Sequence, residues 1–276
     1  MNKDIFYIIA PGPTLNNLTE EEWEFLKDKN TLAISCTPFT GKYFKYYMTY
    51  ESAESTNKFL DMINEDGYLS TSLLLGNEED IKYALELGFK NIYKVFKGRG
   101  KSFRGKFWFA DEEKPPEKLK DCIASNFNQP LFRYRGSLAA TINAALILGA
   151  KEIRLVGVEL NNMKHFYDGV EKKWTNDPIR IEEIKNYHKD YLKTIEIKKK
   201  RNKKRMEGFD PNTMHTTAMK YPNKLWGNRY LMGMPRVIDW MDDELRETGF
   251  KGIYITNKSS ILYKDNLIEY KNIMEE

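Results

Sequence analysis

The feature that most constrains the fold of this chain is an alternation of short apolar runs with longer amphipathic segments. The first run, residues 4–10 (DIFYIIA), is apolar after its first residue, which is typical of a strand buried on both faces of a parallel sheet. Thr19 and Glu22 follow with the spacing of a capping box, which opens an amphipathic helix. Strands and helices in this order predict an α/β fold with a doubly wound, mostly parallel sheet.

The same rhythm continues to the end of the chain, with one long interruption. Further strands are expected at 31–36, 43–50, 68–75, 91–96, 152–158 and 252–257, with helices between most of them and a surface loop at 97–129. Residues 161–233 break the order with turn-rich sequence and a long polar helix. We therefore expect a core of residues 1–160 and 234–276, with residues 161–233 as an insertion.

Composition excludes several classes of protein. Hydrophobic residues make up 41% of the 276, charged residues 30%, and the mean hydropathy is −0.64, so a disordered or fibrous chain is excluded. The apolar run at 139–150 is too short to span a membrane, and the first residues reach Pro and Gly too early for a signal peptide. A cytoplasmic location is expected. Two cysteines and three histidines make a structural metal site improbable, so no metal is predicted.

Two segments have the character of phosphate-binding loops. Gly12, in the PGP sequence after the first strand, allows a backbone to approach a phosphate closely. Arg135, Gly136 and Ser137 stand at the start of a small-residue helix, where helix amides and an arginine can pair with an anion. The alternative for the first is a plain turn made rigid by two prolines. The alternative for the second is that Ser137 only caps its helix.

Together these segments resemble a known family. The sequence resembles the pattern of bacterial sialyltransferases of glycosyltransferase family 42 and of related flagellin-modifying and pterin-pyrophosphokinase-like families. The segments that carry the resemblance are IIAPGPTL at the start and, far downstream, RGSLAATINAALILGAKEIRLVGVEL. The resemblance implies a Rossmann-like, nucleotide-binding core of glycosyltransferase-A-like type, with a helical and loop lid at 161–233. It also implies an inverting, metal-independent transferase that uses a CMP- or UDP-linked sugar as co-substrate and needs no other cofactor.

The resemblance also assigns donor-binding roles. Three positions depart from the family pattern: Ala10 stands where the family has its first glycine, Arg135 replaces a threonine and Thr37 replaces an asparagine. The resemblance therefore leaves the identity of the donor open. The donor-binding positions implied are Gly12, Pro13, Thr14, Thr37, Arg135, Gly136, Ser137, Glu159, Asn257 and Ser259.

The catalytic groups are expected in the insertion. In the resembled sialyltransferases a lid histidine is the general base and two lid tyrosines support the leaving phosphate. His215 is the predicted base because it lies in a loop between the polar helix and the last helix. His165 and Tyr167, just beyond the strand that ends near Glu159, are further catalytic candidates. His188 has a helical context and is interpreted as structural.

A run of basic residues leaves two classes of acceptor open, a glycan and a nucleic acid. The net charge is +4, and seven basic residues fall within 198–205, so the rest of the chain is slightly acidic. Such a run is usually a solvated helix end, but it also suits a polyanion. The residues assigned to acceptor or polyanion binding are Lys198, Lys199, Lys200, Arg201, Lys203, Lys204, Arg205 and Arg229.

These observations predict a glycosyltransferase acting on a glycan or on a modified base of phage-type DNA. The resemblance also makes a homo-oligomer plausible. Two alternatives remain at this point: an ATP-dependent pterin diphosphokinase-like enzyme, and a non-catalytic nucleic-acid-binding protein that uses residues 198–205.

Overall fold

The structure, a computed structural model, contains one sheet of seven parallel strands. It describes residues 4–95, 118–133, 136–168, 178–201, 210–218 and 233–275. The strand order is β5-β4-β3-β2-β1-β6-β7, and every pairing in the sheet is parallel. The predicted α/β fold with a doubly wound parallel sheet is confirmed.

The strands and helices follow the predicted alternation within the described ranges. The strands are β1 (Ile5–Ile9), β2 (Asn30–Ile34), β3 (Tyr46–Met48), β4 (Ser72–Leu75), β5 (Ile92–Lys94), β6 (Glu152–Val156) and β7 (Gly252–Ile255). The helices are α1 (Glu20–Lys27), α2 (Ala53–Glu65), α3 (Glu78–Glu86), α4 (Leu138–Ile147), α5 (Pro178–Arg201), α6 (Met234–Arg246) and α7 (Ile261–Lys264). Short 3-10 helices lie at Pro13–Asn17, Thr37–Thr40 and Leu119–Asp121.

Strand β1 is the centre of the sheet. Its five residues are all buried, as the unbroken apolar run predicts. It pairs with β2 on one side, with Phe6 opposite Asn30, and with β6 on the other, with Tyr7 opposite Arg154. Because β6 follows β1 by more than a hundred residues, the chain builds outward to β5 on one side and then restarts on the other.

The sheet separates two layers of apolar packing. Side chains of Phe6 and Ile8 face the layer that holds α4 and α6, whereas Ile5, Tyr7 and Ile9 face the layer that holds α1, α2 and part of α5. Alternate residues of one strand thus face opposite layers, as strand geometry requires. This burial on both faces is the main source of stability for such a sheet.

The predicted capping box is confirmed at the start of α1. The Thr19 hydroxyl accepts a hydrogen bond from the Glu22 amide at 3.1 Å, and the Glu22 carboxylate accepts one from the Thr19 amide at 2.9 Å. Two orphan amides of the first helical turn are satisfied in this way.

Two predicted strands begin later than expected. The strands expected at 43–50 and 68–75 are Tyr46–Met48 and Ser72–Leu75. Tyr43 and Tyr68 lie before them and pack edge to face, with ring centroids 5.3 Å apart. Their aromatic character favours strands in a sequence pattern, but here it supports a contact between two loops.

A buried ion cluster ties the segment after β7 to the sheet. Arg154 is fully buried and donates to the Glu152 carboxylate at 2.8 Å and to the carbonyls of Asn272 and Ile273 at 3.0 and 3.2 Å. Lys271 donates to the other Glu152 oxygen at 3.0 Å. A buried charge is tolerated when it is paired and hydrogen-bonded in this way.

The insertion predicted at 161–233 is described only in part. Its described parts are 161–168, helix α5 and residues 210–218, and its boundaries stay a prediction. Most of the loop expected at 97–129 lies outside the described residues. Within the described ranges no helix is both long and apolar enough to cross a membrane.

Candidate active site

The carboxyl ends of four strands open into a cavity of about 660 Å³. Loops after β1, β2, β3 and β6 form its floor, and the first turns of α2, α4 and α6 reach its edge. Part of α5 and residues 215–217 close over the other side. Ligands of open parallel sheets bind in such a crevice, at the point where the strand order reverses.

The cavity brings together predicted residues from distant parts of the sequence. Six of them line it: Gly12, Gly136, Ser137, Glu159, His165 and His215. Both predicted phosphate loops and two of the three predicted catalytic residues therefore share one space.

Glu159 connects the first loop to the end of β6. Its carboxylate accepts hydrogen bonds from the Thr14 amide at 3.0 Å and from the Thr14 hydroxyl. Its other oxygen lies directly against Gly12, where a Cβ atom would come within 1.7 Å of it. Burial raises the pKa of Glu159, although the hydrogen bonds from Thr14 oppose that effect. A buried carboxyl group here suits a ligand hydroxyl better than a ligand phosphate, because a phosphate would be repelled by it.

The second loop leads directly into α4. Ser137 precedes the helix, and the first intrahelical hydrogen bond runs from the Thr141 amide to the Ser137 carbonyl at 2.9 Å. Ser137 makes no side-chain capping bond, so the interpretation of Ser137 as only a cap finds no support in its contacts. The amides of the first turn have no intrahelical acceptor and carry the positive end of the helix dipole to the cavity.

His215 is held by its own segment. Its amide donates to the Leu160 carbonyl at 3.0 Å, which fixes the segment beside the end of β6. Its ring Nδ1 accepts a hydrogen bond from the Thr217 amide at 3.2 Å and lies 2.7 Å from the Thr217 hydroxyl oxygen. Because an amide can only donate, Nδ1 carries the lone pair, and in the neutral ring the proton is on Nε2. Neutral His215 is therefore a hydrogen-bond donor through Nε2.

His165 lies in a different arrangement. Its Nδ1 is 3.5 Å from the Asp168 carboxylate, which also lies 2.8 Å from Nδ1 of His188 on α5. The His165 ring stacks on Tyr167, with centroids 5.2 Å apart, and meets the edge of Tyr191 at 4.8 Å. His188, interpreted as structural from the sequence, thus contacts the carboxylate that faces a cavity histidine.

An aromatic layer supports this wall of the cavity. The Tyr167 ring stacks on His165, meets the rings of Phe39, Tyr187 and His188 edge to face, and does not line the cavity itself. Burial strongly raises the pKa of Tyr167, so its hydroxyl stays protonated. Tyr187 and Tyr191 of α5 do line the cavity.

Other predicted donor residues lie outside the cavity wall. Thr37 is fully buried and its hydroxyl donates to the Ile34 carbonyl at 3.0 Å, so it is occupied within its own turn. Asn257 accepts from the Ser259 hydroxyl and the Ser260 amide, both at 2.9 Å, in the turn before α7. Pro13 and Thr14 lie behind Gly12 in a 3-10 helix, and Thr14 reaches the cavity only through Glu159.

The remaining predicted residues lie partly outside the described part of the chain. Arg135, Lys203, Lys204, Arg205 and Arg229 lie outside the described residues. Lys198, Lys199, Lys200 and Arg201 form the end of α5, where Lys200 is exposed. Their assignment to acceptor or polyanion binding stays a prediction.

Sequence reasoning missed two strained positions at the crevice. Ser35, after β2, and Leu160, after Glu159, have positive φ angles of 56° and 58°, which non-glycine residues rarely adopt. The Ser35 hydroxyl donates to Glu51 at 2.9 Å, and both residues line the cavity. Nothing in their residue types signals this backbone conformation.

A second missed pair closes the mouth beside α4. The Arg133 guanidinium lies 4.5 Å from the centre of the Tyr50 ring, and both residues line the cavity. Arg133 is exposed and lines the cavity, so it places a cation at the same edge as the first turn of α4. Among the described residues, no group of three His, Cys, Asp or Glu side chains could hold a metal ion.

Comparisons with known proteins give structural matches only. No protein-family model matches the sequence, and no curated protein matches it. One matching structure is the sialyltransferase CstII from Campylobacter jejuni in complex with a substrate analogue, cytidine-5'-monophosphate. It is 15% identical, with a TM-score of 0.49, over 100% of this chain and 88% of that chain. Another is the monofunctional alpha-2,3-sialyltransferase Cst-I from the same organism, 12% identical, with a TM-score of 0.46, over 100% and 82% of the chains.

Proposed function

We propose that this chain is a glycosyltransferase that moves a sugar from a nucleotide-sugar donor to an acceptor hydroxyl. The observation that carries the proposal is the single cavity that holds the Gly12 loop, the start of α4 and two histidines. Inversion at the anomeric carbon and independence from metal ions follow from the motif resemblance and belong to the proposal.

The polarity of the cavity suggests how the donor lies. The first turn of α4, with Ser137 at its start and Arg133 nearby, suits the donor phosphate because helix amides and a cation both attract it. Glu159 suits a ribose hydroxyl, because it is an acceptor where a phosphate would be repelled. The His215 Nε2–H is suited to donate to the leaving phosphate.

The acceptor side is the wall made by α2 and α5. It carries the rings of Tyr187 and Tyr191 and, just before α2, the carboxylate of Glu51. Two more carboxylates line it, and each pairs with a lysine: Glu54 with Lys58 at 3.2 Å and Asp190 with Lys193 at 3.0 Å. Carboxylates and aromatic faces recognise sugar hydroxyls and sugar rings, and Glu51 would repel a phosphate backbone. A glycan acceptor is therefore preferred over a nucleic acid.

The proposal is tested by thermal shift with CMP, UDP, GDP, ADP and their sugars, with and without EDTA. A ligand that binds only the folded state raises Tm, by an amount that corresponds to about 2.7 kcal/mol at a concentration of 100 Kd. We expect one nucleotide and its sugar to raise Tm, and the increase to be the same with and without EDTA.

A matched pair of variants localises the binding. Ser137→Asp introduces a negative charge at the start of α4 and should abolish the shift. Thr19→Asp introduces the same charge at the start of α1, away from the cavity, and should keep it. Equal shifts in the two variants would refute the site. A shift that needs magnesium and ATP would instead favour the diphosphokinase. The absence of any shift, with salt-dependent DNA binding, would favour the nucleic-acid-binding protein.

A further inference from the structure

Glu51 differs from the other carboxylates on the wall made by α2 and α5. Its Oε1 accepts a hydrogen bond from the Ser35 hydroxyl at 2.9 Å, and both residues line the cavity. Glu54 and Asp190 each pair with a lysine of their own helix. Within the described part of the chain, Glu51 forms no such ion pair. Its negative charge is therefore not neutralised by a described side chain and acts on the group that binds beside it.

The ends of β2 and β3 hold Ser35 and Glu51 in position. Ser35 has a φ of 56°, a conformation that a non-glycine residue keeps only where the surrounding structure fixes it. Its carbonyl accepts the Tyr47 hydroxyl at 2.7 Å, and its amide donates to the Met48 carbonyl at 3.4 Å. The Glu51 amide donates to the Thr49 hydroxyl at 3.1 Å. The Ser35–Glu51 pair thus has a defined place at the carboxyl ends of two neighbouring strands.

Glu51 stands between the phosphate end of the cavity and helix α5. Tyr50, the residue before it, lies 4.5 Å from the Arg133 guanidinium, at the end proposed for the donor phosphate. On the other side is Tyr187 of α5. Burial raises the pKa of Tyr187, the charge of Glu51 contributes in the same direction, and an interaction with Ser35 opposes them. The sugar that links the donor phosphate to the acceptor wall therefore passes beside Glu51.

The basic side chains that line the cavity do not pair with Glu51. Arg133 lies at the phosphate end, and Lys58 pairs with Glu54 at 3.2 Å. Lys164 follows β6, which two strands separate from β3 in the sheet. The place between the phosphate end and α5 is thus marked by a carboxylate. A carboxylate accepts hydrogen bonds from hydroxyl and amino groups, whereas it repels a second carboxylate.

We propose that Glu51 is a specificity-determining residue for the transferred sugar, which it binds through hydroxyl or amino groups while it excludes sugars that carry a carboxylate. Ser35 is a positioning residue that holds the Glu51 carboxylate. The inference rests on the proposed glycosyltransferase function and narrows its donor to a nucleotide linked to an uncharged sugar or an amino sugar. Sialic acids carry a carboxylate and are therefore poor donors for this chain, although the motif resemblance is to sialyltransferases.

The test compares the binding of nucleotide sugars that differ by one carboxylate. Three pairs differ only at C6: UDP-glucose and UDP-glucuronic acid, GDP-mannose and GDP-mannuronic acid, and ADP-glucose and ADP-glucuronic acid. For cytidine, CMP is compared with CMP-N-acetylneuraminic acid. Isothermal titration calorimetry on the full chain gives the ratio of the two Kd values in each pair. For the base that the protein binds, we expect the acidic member to bind about 10-fold or more weakly.

Three variants assign that ratio to Glu51. Glu51→Gln should bring the two Kd values of the pair to within about threefold of each other, because it removes the charge and keeps the size of the side chain. Ser35→Ala should lower the ratio about two- to threefold, because it removes the hydroxyl that holds Glu51. The matched control is Asp61→Asn. Asp61 of α2 also accepts a hydroxyl, that of Tyr83 at 2.6 Å, but does not line the cavity, so the ratio should stay as in the wild type.

The outcomes separate this inference from the function on which it rests. A general weakening of the fold changes both Kd values of a pair alike, so the ratio reports the selection of charge. A wild type that binds the acidic member as tightly as the neutral one overturns the inference and leaves the proposed function standing. Equal ratios in the wild type and Glu51→Gln overturn the role of Glu51. A wild type that binds none of these nucleotides or nucleotide sugars refutes the proposed function and the inference together.

Discussion

Replacement of Gly12 by alanine tests how closely the first loop approaches the end of β6. Gly12 has φ −74° and ψ 161°, which alanine adopts without strain, so the effect is one of space. An added Cβ would lie 1.7 Å from Glu159 Oε2 and 2.4 Å from the Gly157 carbonyl oxygen. The side chain of Glu159 can rotate away, but the Gly157 carbonyl cannot, because it accepts the Gly12 amide at 3.0 Å.

The size of the effect follows from these contacts. Overpacking of this kind costs about 1 to 3 kcal/mol. Displacement of the loop also breaks one or two hydrogen bonds among those of Gly12 and Thr14, which adds about 1 kcal/mol for each bond. The free energy of unfolding should fall by about 2 to 5 kcal/mol, and Tm by about 5 to 15 °C.

The matched control is Gly136→Ala, on the opposite side of the cavity. Its Cβ would meet only the Thr217 methyl group at 3.3 Å and the Met234 Cε at 3.8 Å, and both are movable side-chain atoms. The loss should be about 1 kcal/mol or less, because alanine also reduces the entropy of the unfolded chain. Gly12→Ala in a Glu159→Ala background should still destabilise, because the backbone contact with Gly157 remains.

The differences are measured by urea unfolding and thermal melting, followed by circular dichroism. The proteins compared are the wild type, Gly12→Ala, Gly136→Ala, Glu159→Ala and the double variant Gly12→Ala/Glu159→Ala. A Gly12→Ala protein with a Tm within about 2 °C of the wild type would refute the close approach. Equal losses in Gly12→Ala and Gly136→Ala would also refute it, since only one of the two meets a fixed carbonyl.

Three further predictions concern other parts of the fold. Burial raises the pKa of Glu159 in the folded state above its ordinary 4.5. The free energy of unfolding should therefore decline as the pH rises from 4.5 through the folded-state pKa. Urea unfolding of the wild type at about pH 5 and about pH 7.5 should show this decline, and Glu159→Gln should remove it. Arg154→Leu should lower the free energy of unfolding by about 3 to 5 kcal/mol in urea unfolding, because it leaves Glu152 buried without its arginine. Lys94→Met, in the exposed pair with Glu78, should leave the free energy of unfolding almost unchanged. Thr19→Ala should cost about 1 kcal/mol in thermal melting, and a change below about 0.3 kcal/mol would contradict the capping box.

Most of the fold could be predicted because its strands are buried on both faces. All five residues of each of β1, β2 and β6 are buried, so no exposed positions obscure the pattern, although β6 also carries the buried Glu152 and Arg154. The starts of β3 and β4 were wrong because Tyr43 and Tyr68 fit a strand pattern as well as a loop contact. An aromatic side chain packs well in either place, so its type alone cannot distinguish them.

The site could be predicted only where a local motif carries it. Gly136 and Ser137 sit at a helix start that the sequence marks, and they line the cavity. The contact of Asp168 with His188 joins residues twenty positions apart on different elements, so no local pattern indicates it. Asn257 is a donor-binding position only by resemblance, and no local pattern indicates that its side chain accepts the Ser260 amide in the turn before α7.

The reversal of strand order beside β1 divides the cavity between two stretches of chain. Residues 4–95 supply the Gly12 loop, Ser35 and the α2 wall, whereas residues 136–275 supply α4, Glu159 and both cavity histidines. Neither stretch alone contains a complete set of walls. Expressed as two separate polypeptides divided between residues 95 and 118, the chain would hold half of its site on each piece. Ligand binding would then require the two pieces to associate. A chain divided at this point could therefore report the proximity of two partners fused to its halves.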